Sequence, residues 1–363
     1  MSTEAGQLDS LRALLAALRT NQFYARKLAV TGLLAGVSSV PEFVARCPFT
    51  TKAELVADQA AFPPYGTNLT YGLERYTRCH QTSGSTGQPL RWLDTPESWT
   101  WMLESWATVH RSAGTMAADR IFFAFSFGPF LGFWTAFESA QRLGCLIFAG
   151  GGMNSVARLR SILELRATIL CCTPTYAIHL AEVAAKEGID LRDSPVRTLS
   201  VAGEPGGSIP ATRDRLQQLW PGSRVYDHHG MTEVGPVSYE CAARPGVLHV
   251  IERAFIAEVV DPDTGRPVET GMRGELILTN LGRLGSPLLR YRTGDLVQAP
   301  DRTTGGLTCA CGSNDLALEG GILGRVDDMV VVRGVNVYPG AIEQIIMRLG
   351  GVAEYQVRVN QSQ

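Results

Sequence analysis

Arg224-Val225-Tyr226-Asp227-His228-His229-Gly230-Met231-Thr232-Glu233 is the stretch on which the reading of this chain turns. Its head, Arg224–Tyr226, is β-like, and its tail, Gly230-Met231-Thr232-Glu233, is a turn ending on a hydroxyl and a carboxylate. Taken alone, the tetrapeptide is as readily an ordinary turn as a binding site. What lies on either side decides between them.

Upstream, short apolar β-rich runs recur at Arg120–Phe127, Cys145–Ala149, Thr168–Cys172 and Thr198–Val201. Amphipathic stretches at Val156–Leu165, Thr175–Glu187 and Thr212–Trp220 separate them, and Ser208 with Pro210 marks a helix start before Thr212. Strands alternating with helices predict βαβ units and a doubly wound, mostly parallel sheet. Ligands of such sheets bind beyond the C-terminal strand ends, which is where the Gly230–Glu233 turn falls.

Downstream of about Gly235 the pattern changes. Ala254–Val260, Glu275–Leu278 and Leu288–Tyr291 are β-like and separated by turns such as Asp261-Pro262-Asp263-Thr264-Gly265, with no helical period between them. Near the end, Ile342, Ile345, Ile346 and Leu349 share a helical face, and Tyr355, Val357 and Val359 alternate as a strand would. A lone strand cannot satisfy its ladder. The expectation is therefore an α/β protein in three parts. Residues 1–235 form a large core with doubly wound parallel sheets, 236–327 a smaller β-rich subdomain, and 328–363 the start of a truncated C-terminal domain.

The bulk numbers fit a soluble globular chain. Of 363 residues, 45% are hydrophobic and 19% charged, and the net charge is -2. That charge speaks against a nucleic-acid partner. No run reaches the ~18 apolar residues of a membrane span, and the N-terminus lacks a secretion-signal layout. Eight Cys without such a signal point to a reducing, cytoplasmic setting.

Four further motifs carry chemistry. Thr82-Ser83-Gly84-Ser85-Thr86-Gly87-Gln88-Pro89 offers small residues, backbone N–H groups and hydroxyls that suit a polyphosphate, although it lacks the Gly-Lys-Ser/Thr ending of a Walker loop. Gly203-Glu204-Pro205-Gly206-Gly207 is a second tight loop on the same sheet edge. Tyr291-Arg292-Thr293-Gly294-Asp295-Leu296 sets a carboxylate in a turn, where it can accept two ribose hydroxyls or simply be solvated. Gly324-Arg325-Val326-Asp327-Asp328-Met329 leads into Arg333-Gly334-Val335-Asn336-Val337-Tyr338-Pro339.

In this order the five motifs resemble the adenylate-forming superfamily of acyl-CoA synthetases, peptide-synthetase adenylation domains and luciferases. Pro48-Phe49-Thr50-Thr51-Lys52, Thr173-Pro174-Thr175-Tyr176 and Arg333 to Pro339 are similar to the phenylacetate–CoA ligase branch. The resemblance implies ATP or AMP, Mg²⁺ and coenzyme A as cofactors and a small carboxylic acid as substrate. It places Ser83, Gly84, Ser85, Thr86 and Gly87 in the phosphate loop. Gly203, Glu204, Pro205, His229 and Gly230 border the adenine, and His229 stands where relatives often have Tyr. Thr232 meets the α-phosphate, Glu233 binds Mg²⁺, Asp295 holds the ribose, Arg325 lies beside the nucleotide and Asp327 is the inter-domain hinge. Leu90 replaces a Lys common in the superfamily but also missing from this branch. The lysine that the family uses for adenylation lies beyond the last residue here, so slow adenylation is the expectation.

Cys241, His249, Cys309 and Cys311 suit a closed tetrahedral Zn²⁺ site. Two unrelated Cys pairs and a surface His are the alternative, against which the resemblance weighs because relatives carry ligands at these places. Phe125, Phe127, Phe130, Phe133 and Trp134 cluster where relatives line the acid pocket, and with His228 they suit an aryl acid or form plain core. The leading function is an acid–CoA ligase. An adenylating protein that serves a separate carrier or reductase, and a nucleotide binder without catalysis, remain alternatives. A homodimer is left open.

Overall fold

The computed structural model describes residues 3–82, 89–300, 309–326, 330–332 and 335–337. The phosphate-loop residues Ser83 to Gln88, the hinge Asp327 and the terminal helix and strand expected at 342–359 lie outside the described residues.

Helices α1 (Thr3–Ala17), α2 (Gln22–Lys27), α3 (Val40–Arg46) and α4 (Lys52–Ala61) come first. Thr51 and Glu54 form a reciprocal capping box that starts α4 and so fixes the position of Lys52. A two-stranded hairpin follows, β1 (Arg78–Gln81) and β2 (Arg91–Asp94). Helix α5 (Pro96–Ser112) then leads into the main α/β run. That run is β3 (Arg120–Phe123), α6 (Leu131–Arg142), β4 (Leu146–Ala149), α7 (Ser155–Glu164), β5 (Ile169–Cys172), α8 (Pro174–Lys186), β6 (Thr198–Val201), α9 (Pro210–Leu219) and β7 (Arg224–Met231).

Strands β4, β3, β5, β6 and β7 lie side by side and pair in parallel. The chain reverses its direction of travel across the sheet between β3 and β5, so the loops after these strands flank a switch-point crevice. Strands β5 and β6 are buried along their whole length, as strands covered on both faces must be. Phe122, Leu170, Leu199, Leu216 and Trp220 belong to the core beneath the helices, each no more than 1% exposed.

The same sheet continues past β7 with opposite polarity. Strands β8 (Gly235–Glu240), β9 (Leu248–Val250) and β13 (Ala317–Leu318) add antiparallel, giving eight strands in all. A second sheet holds β10 (Phe255–Val260), β11 (Arg273–Asn280), β12 (Tyr291–Gln298) and β14 (Gly324–Arg325). The backbone strands β15 (Val330–Val332) and β16 (Val335–Val337) pair as a hairpin. The mixed α/β architecture with a large parallel-rich sheet is as the sequence predicts.

The β segment expected at Leu288–Tyr291 begins only at Tyr291 and runs to Gln298, so Asp295 lies within a strand rather than in a turn after one. Two further boundaries differ from the sequence reading, for local reasons. The strand expected over Arg120–Phe127 stops at Phe123, because Phe127 and Gly128 take left-handed backbone (φ 58 and 55) and turn the chain. The strand expected to end at Tyr226 runs on to Met231, because β8 supplies a ladder for the polar His228-His229-Gly230 segment. Among the described residues no helix is long and apolar enough to cross a membrane.

Candidate active site

Glu233 sits in the turn between β7 and β8 and is 6% exposed. Its Oε1 lies 3.3 Å from the Lys52 ammonium at the start of α4. Tyr291 heads β12. Burial, then the charges of Glu233 and Asp295, push the Tyr291 hydroxyl well above its ordinary value.

Asp295 follows four residues later on β12 and is 5% exposed. The His229 Nε2 lies 3.0 Å from its Oδ2, and the Arg325 guanidinium donates to its Oδ1 at 3.2 Å. Gly294 between them has φ +75, and a side chain there would run within 2.6 Å of Arg325. Only glycine lets Arg325 approach this closely. The Asp295 carboxylate also has a buried oxygen without a well-aligned donor, as a group does that is built to accept from a ligand's hydroxyls.

The loop after β6 completes this edge. The Glu204 carboxylate accepts from the Thr175 N–H at 2.6 Å, tying the loop to the start of α8, while Gly203 and Pro205 stay exposed. A side chain at Gly207 would meet the Asp227 carboxylate at 2.3 Å. Ser208 donates to that carboxylate at 2.5 Å from the far end of the loop. Burial, together with the neighbouring Glu240 charge, pushes the Asp227 carboxyl up to about 7. His229 and Gly230 lie at the end of β7, with Gly230 exposed, and Thr232 opens the turn that follows.

Residues 81–282 match the family described as AMP-binding enzyme. Phenylacetate-coenzyme A ligase of Thermus thermophilus is 32% identical over 344 residues, 93% of this chain and 73% of that protein. The chain belongs to the AMP-binding enzyme family. Within it, the chain is of the phenylacetate–CoA ligase type, as phenylacetate-coenzyme A ligase of Pseudomonas putida, 30% identical over 97% of this chain and 77% of that protein, also indicates. A solved structure of 2-hydroxyisobutyryl-CoA ligase in the postadenylation state, with R3-HIB-AMP, superposes with a TM-score of 0.88 at 29% identity. It covers 96% of this chain and 73% of that one.

The aromatic residues divide. Phe125 and Phe133 stack at 3.9 Å, and Phe130 meets Phe133 edge-on and is 38% exposed. Phe127 is packed against Trp134 and Phe137 and is 6% exposed. His228 lies edge-on to Trp106 at 4.6 Å, and burial, with His110 and His229 nearby, lowers its imidazole to about 3. It is therefore neutral at ordinary pH.

Cys241, His249, Cys309 and Cys311 bring their ligand atoms within 4.8 Å of one another. Cys241 and Cys309 sulfurs stand 3.6 Å apart, and Cys311 Sγ stands 3.4 Å from His249 Nε2. These separations far exceed the ~2.05 Å of a disulfide. They match the edge of a tetrahedron with metal–sulfur bonds of about 2.3 Å. The Nδ1 of His249 faces the Asp315 carbonyl at 3.0 Å, which leaves Nε2 pointing at the cysteines.

Sequence reasoning assigned no role to Lys52, although it lies in the quoted Pro48–Lys52 motif. The available signal was the absence of a lysine in the phosphate loop, which leaves a cation to be supplied from elsewhere.

Proposed function

We propose that this protein condenses a carboxylic acid with ATP to an acyl-adenylate, releasing pyrophosphate, and passes the acyl group to the thiol of coenzyme A. The observation that supports this reading most is the pair of buried carboxylates, Glu233 with Lys52 at 3.3 Å and Asp295 with His229 at 3.0 Å and Arg325 at 3.2 Å. In-line attack of a carboxylate on the α-phosphorus needs positioning and charge neutralisation more than an acid–base pair. In this assignment Ser83 to Gly87 cradle the phosphates, Thr232 contacts the α-phosphate and Asp295 accepts from the ribose. Glu233 would hold a Mg²⁺ that neutralises the polyphosphate. Lys52 adds a mobile positive charge beside it.

The Cys₃His cluster fits a structural Zn²⁺, and we assign it so. Phe125, Phe130 and Phe133 favour an aryl acid. The ligand of the 2-hydroxyisobutyryl-CoA ligase neighbour makes a small branched hydroxy acid the competing class. None of the eight cysteines is in a disulfide, which suits a reducing cytoplasm.

The test is pyrophosphate release with a panel of aryl and small hydroxy acids, followed by thioester formation with coenzyme A. Glu233→Gln is expected to abolish Mg²⁺-dependent turnover while the far-ultraviolet circular dichroism stays that of the parent. Turnover equal to the parent's would remove Glu233 from the site. Pyrophosphate release without thioester would favour a carrier or reductase as acyl acceptor.

A further inference from the structure

Arg283 and Asp94 are a buried ion pair with no exposed side-chain surface on either partner. Arg283 Nε and NH2 each donate to a different Asp94 oxygen at 2.7 Å, the bidentate fork–fork arrangement. The remaining arm is used as well. NH1 donates to the main-chain carbonyls of Thr232 at 2.7 Å and Glu233 at 2.9 Å. One planar group thus ties the end of β2 to the backbone of the turn that carries the metal carboxylate.

The location gives this pair its meaning. Hairpin β1–β2 forms a sheet of its own and shares no ladder with either larger sheet. Thr82 N–H donates to the Leu90 carbonyl at 3.0 Å, and Asp94 stands at the base of the hairpin. The segment after β11 grips that base further, because Ser286 donates to the Leu93 carbonyl and Gly285 N–H to Ser98. Hairpin β1–β2 and the Thr232–Glu233 turn belong to different sheets, and Arg283 spans the gap between them.

A buried pair is a costly way to gain stability, since apolar side chains of similar volume do as well or better. Apolar side chains cannot fix one carboxylate and two carbonyls at set distances, and a rigid guanidinium can. We propose that Arg283 and Asp94 are positioning residues, which set hairpin β1–β2 against the Thr232–Glu233 turn so that Mg·ATP is held for attack. The proposal rests on the adenylation reading above.

Three proteins test it: Arg283→Lys, Arg283→Met, and the double variant Asp94→Leu with Arg283→Met. Each is measured for melting temperature, for equilibrium binding of Mg·ATP, and for the Mg²⁺ dependence of acid-stimulated ATP–pyrophosphate exchange. Arg283→Met leaves a lone buried carboxylate and is expected to melt lowest. The double variant removes both charges and is expected to recover much of that loss. Its Mg·ATP affinity is expected to stay about tenfold or more below the parent's, and its exchange rate about a hundredfold below. Arg283→Lys keeps the charge but not the fork, and is expected to restore part of the affinity.

Parent-like affinity and exchange in the double variant would make the pair merely structural and overturn the proposal. Should the double variant fail to fold, Arg283→Lys decides, because parent-like Mg²⁺ dependence there has the same consequence. A parent that binds Mg·ATP but exchanges with no acid would defeat the adenylation reading, and the binding measurement would still judge the clamp. A parent that does neither removes both.

Discussion

Strand β7 divides one sheet into two halves built by different means. On its β6 side the strands run parallel, β5 and β6 are buried along their length, and Leu159, Leu180, Leu216 and Trp220 from α7, α8 and the α9 end pack in the core there. On its β8 side they run antiparallel and taper to β13, only two residues long. Its strands still reach the main core through Val237, Leu248, Val250 and Leu318, but the outermost edge packs only Cys241, Val247 and Ala317, with Cys309 and Cys311 against them. So small a cluster buries little apolar surface around Cys309 and Cys311. Where the parallel half is held by packing throughout, this edge gathers Cys241, His249, Cys309 and Cys311 where a metal cross-link would act.

The largest expected effect tests that contrast. Removing zinc with a strong chelator, or changing Cys309→Ser, should cost several kcal/mol, because the free energy of a structural metal is folding free energy. The loss should fall on one side of β7. Hydrogen exchange should rise in β8, β9 and 309–318 and stay low in β5 and β6. The packed half provides the control, since Phe122→Ala should cost about 3–5 kcal/mol whether or not chelator is present. Two results would break the comparison. One is a purified protein without about one equivalent of zinc by mass spectrometry. The other is Cys309→Ser melting with the parent.

The same contrast explains what the sequence made legible. Parallel strands covered on both faces are continuous apolar runs, and Thr198–Val201 was readable to the residue. The antiparallel continuation was not. His228, His229 and Gly230 carry no β signal of their own and are strand only because β8 pairs with them. β8 and β9 join the large sheet, although the change of pattern at Gly235 suggested a separate unit. Glu233 and Asp295 stand in short motifs that a sequence reading can single out. Lys52 meets Glu233, and Arg283 meets Asp94, across segments distant in sequence, and no spacing records that.

A middle-sized effect is expected at β7 itself, where the two halves meet. Asp227 is buried beneath Ser208, with Glu240, Arg213 and His228 around it, and its carboxyl is raised from 3.8 to about 7. Between these values the folded state holds a proton that the unfolded chain has lost. The contribution of Asp227 to stability therefore falls as pH rises through the window and levels off above about 7, by about 1.4 kcal/mol per pH unit at most. Glu240, raised by burial, adds in the same direction. The buried imidazoles of His228 and His110, lowered to about 3 and about 4, act oppositely as they must charge on acid unfolding. The quantity to measure is thus a difference. Asp227→Asn should gain on the parent in urea titrations from pH 5 to pH 7 and then hold a constant lead. Parallel stability profiles for the two proteins would mean that Asp227 is ionised throughout.

The smallest effect concerns a residue that belongs to neither half. Lys52 reaches Glu233 from the N-terminal helices, and that module docks through Phe49 and Thr50. Thr50 bridges the strand on both sides, donating to the Arg290 carbonyl and accepting from the Arg292 N–H, while Arg290 covers the Phe49 ring at 4.1 Å. The Lys52 side chain is 42% exposed, so its ion pair with Glu233 is largely screened and contributes at most about 1 kcal/mol to folding. Lys52→Ala should accordingly leave the melting temperature within a degree or two of the parent's. Its effect should appear in KM for Mg·ATP, raised several-fold, because an exposed ammonium beside a metal carboxylate acts on the polyphosphate by charge. Raising the ionic strength should shrink the gap between variant and parent. A KM that does not move would reduce Lys52 to a surface partner of Glu233, and the cleft would then be completed by the two sheets alone.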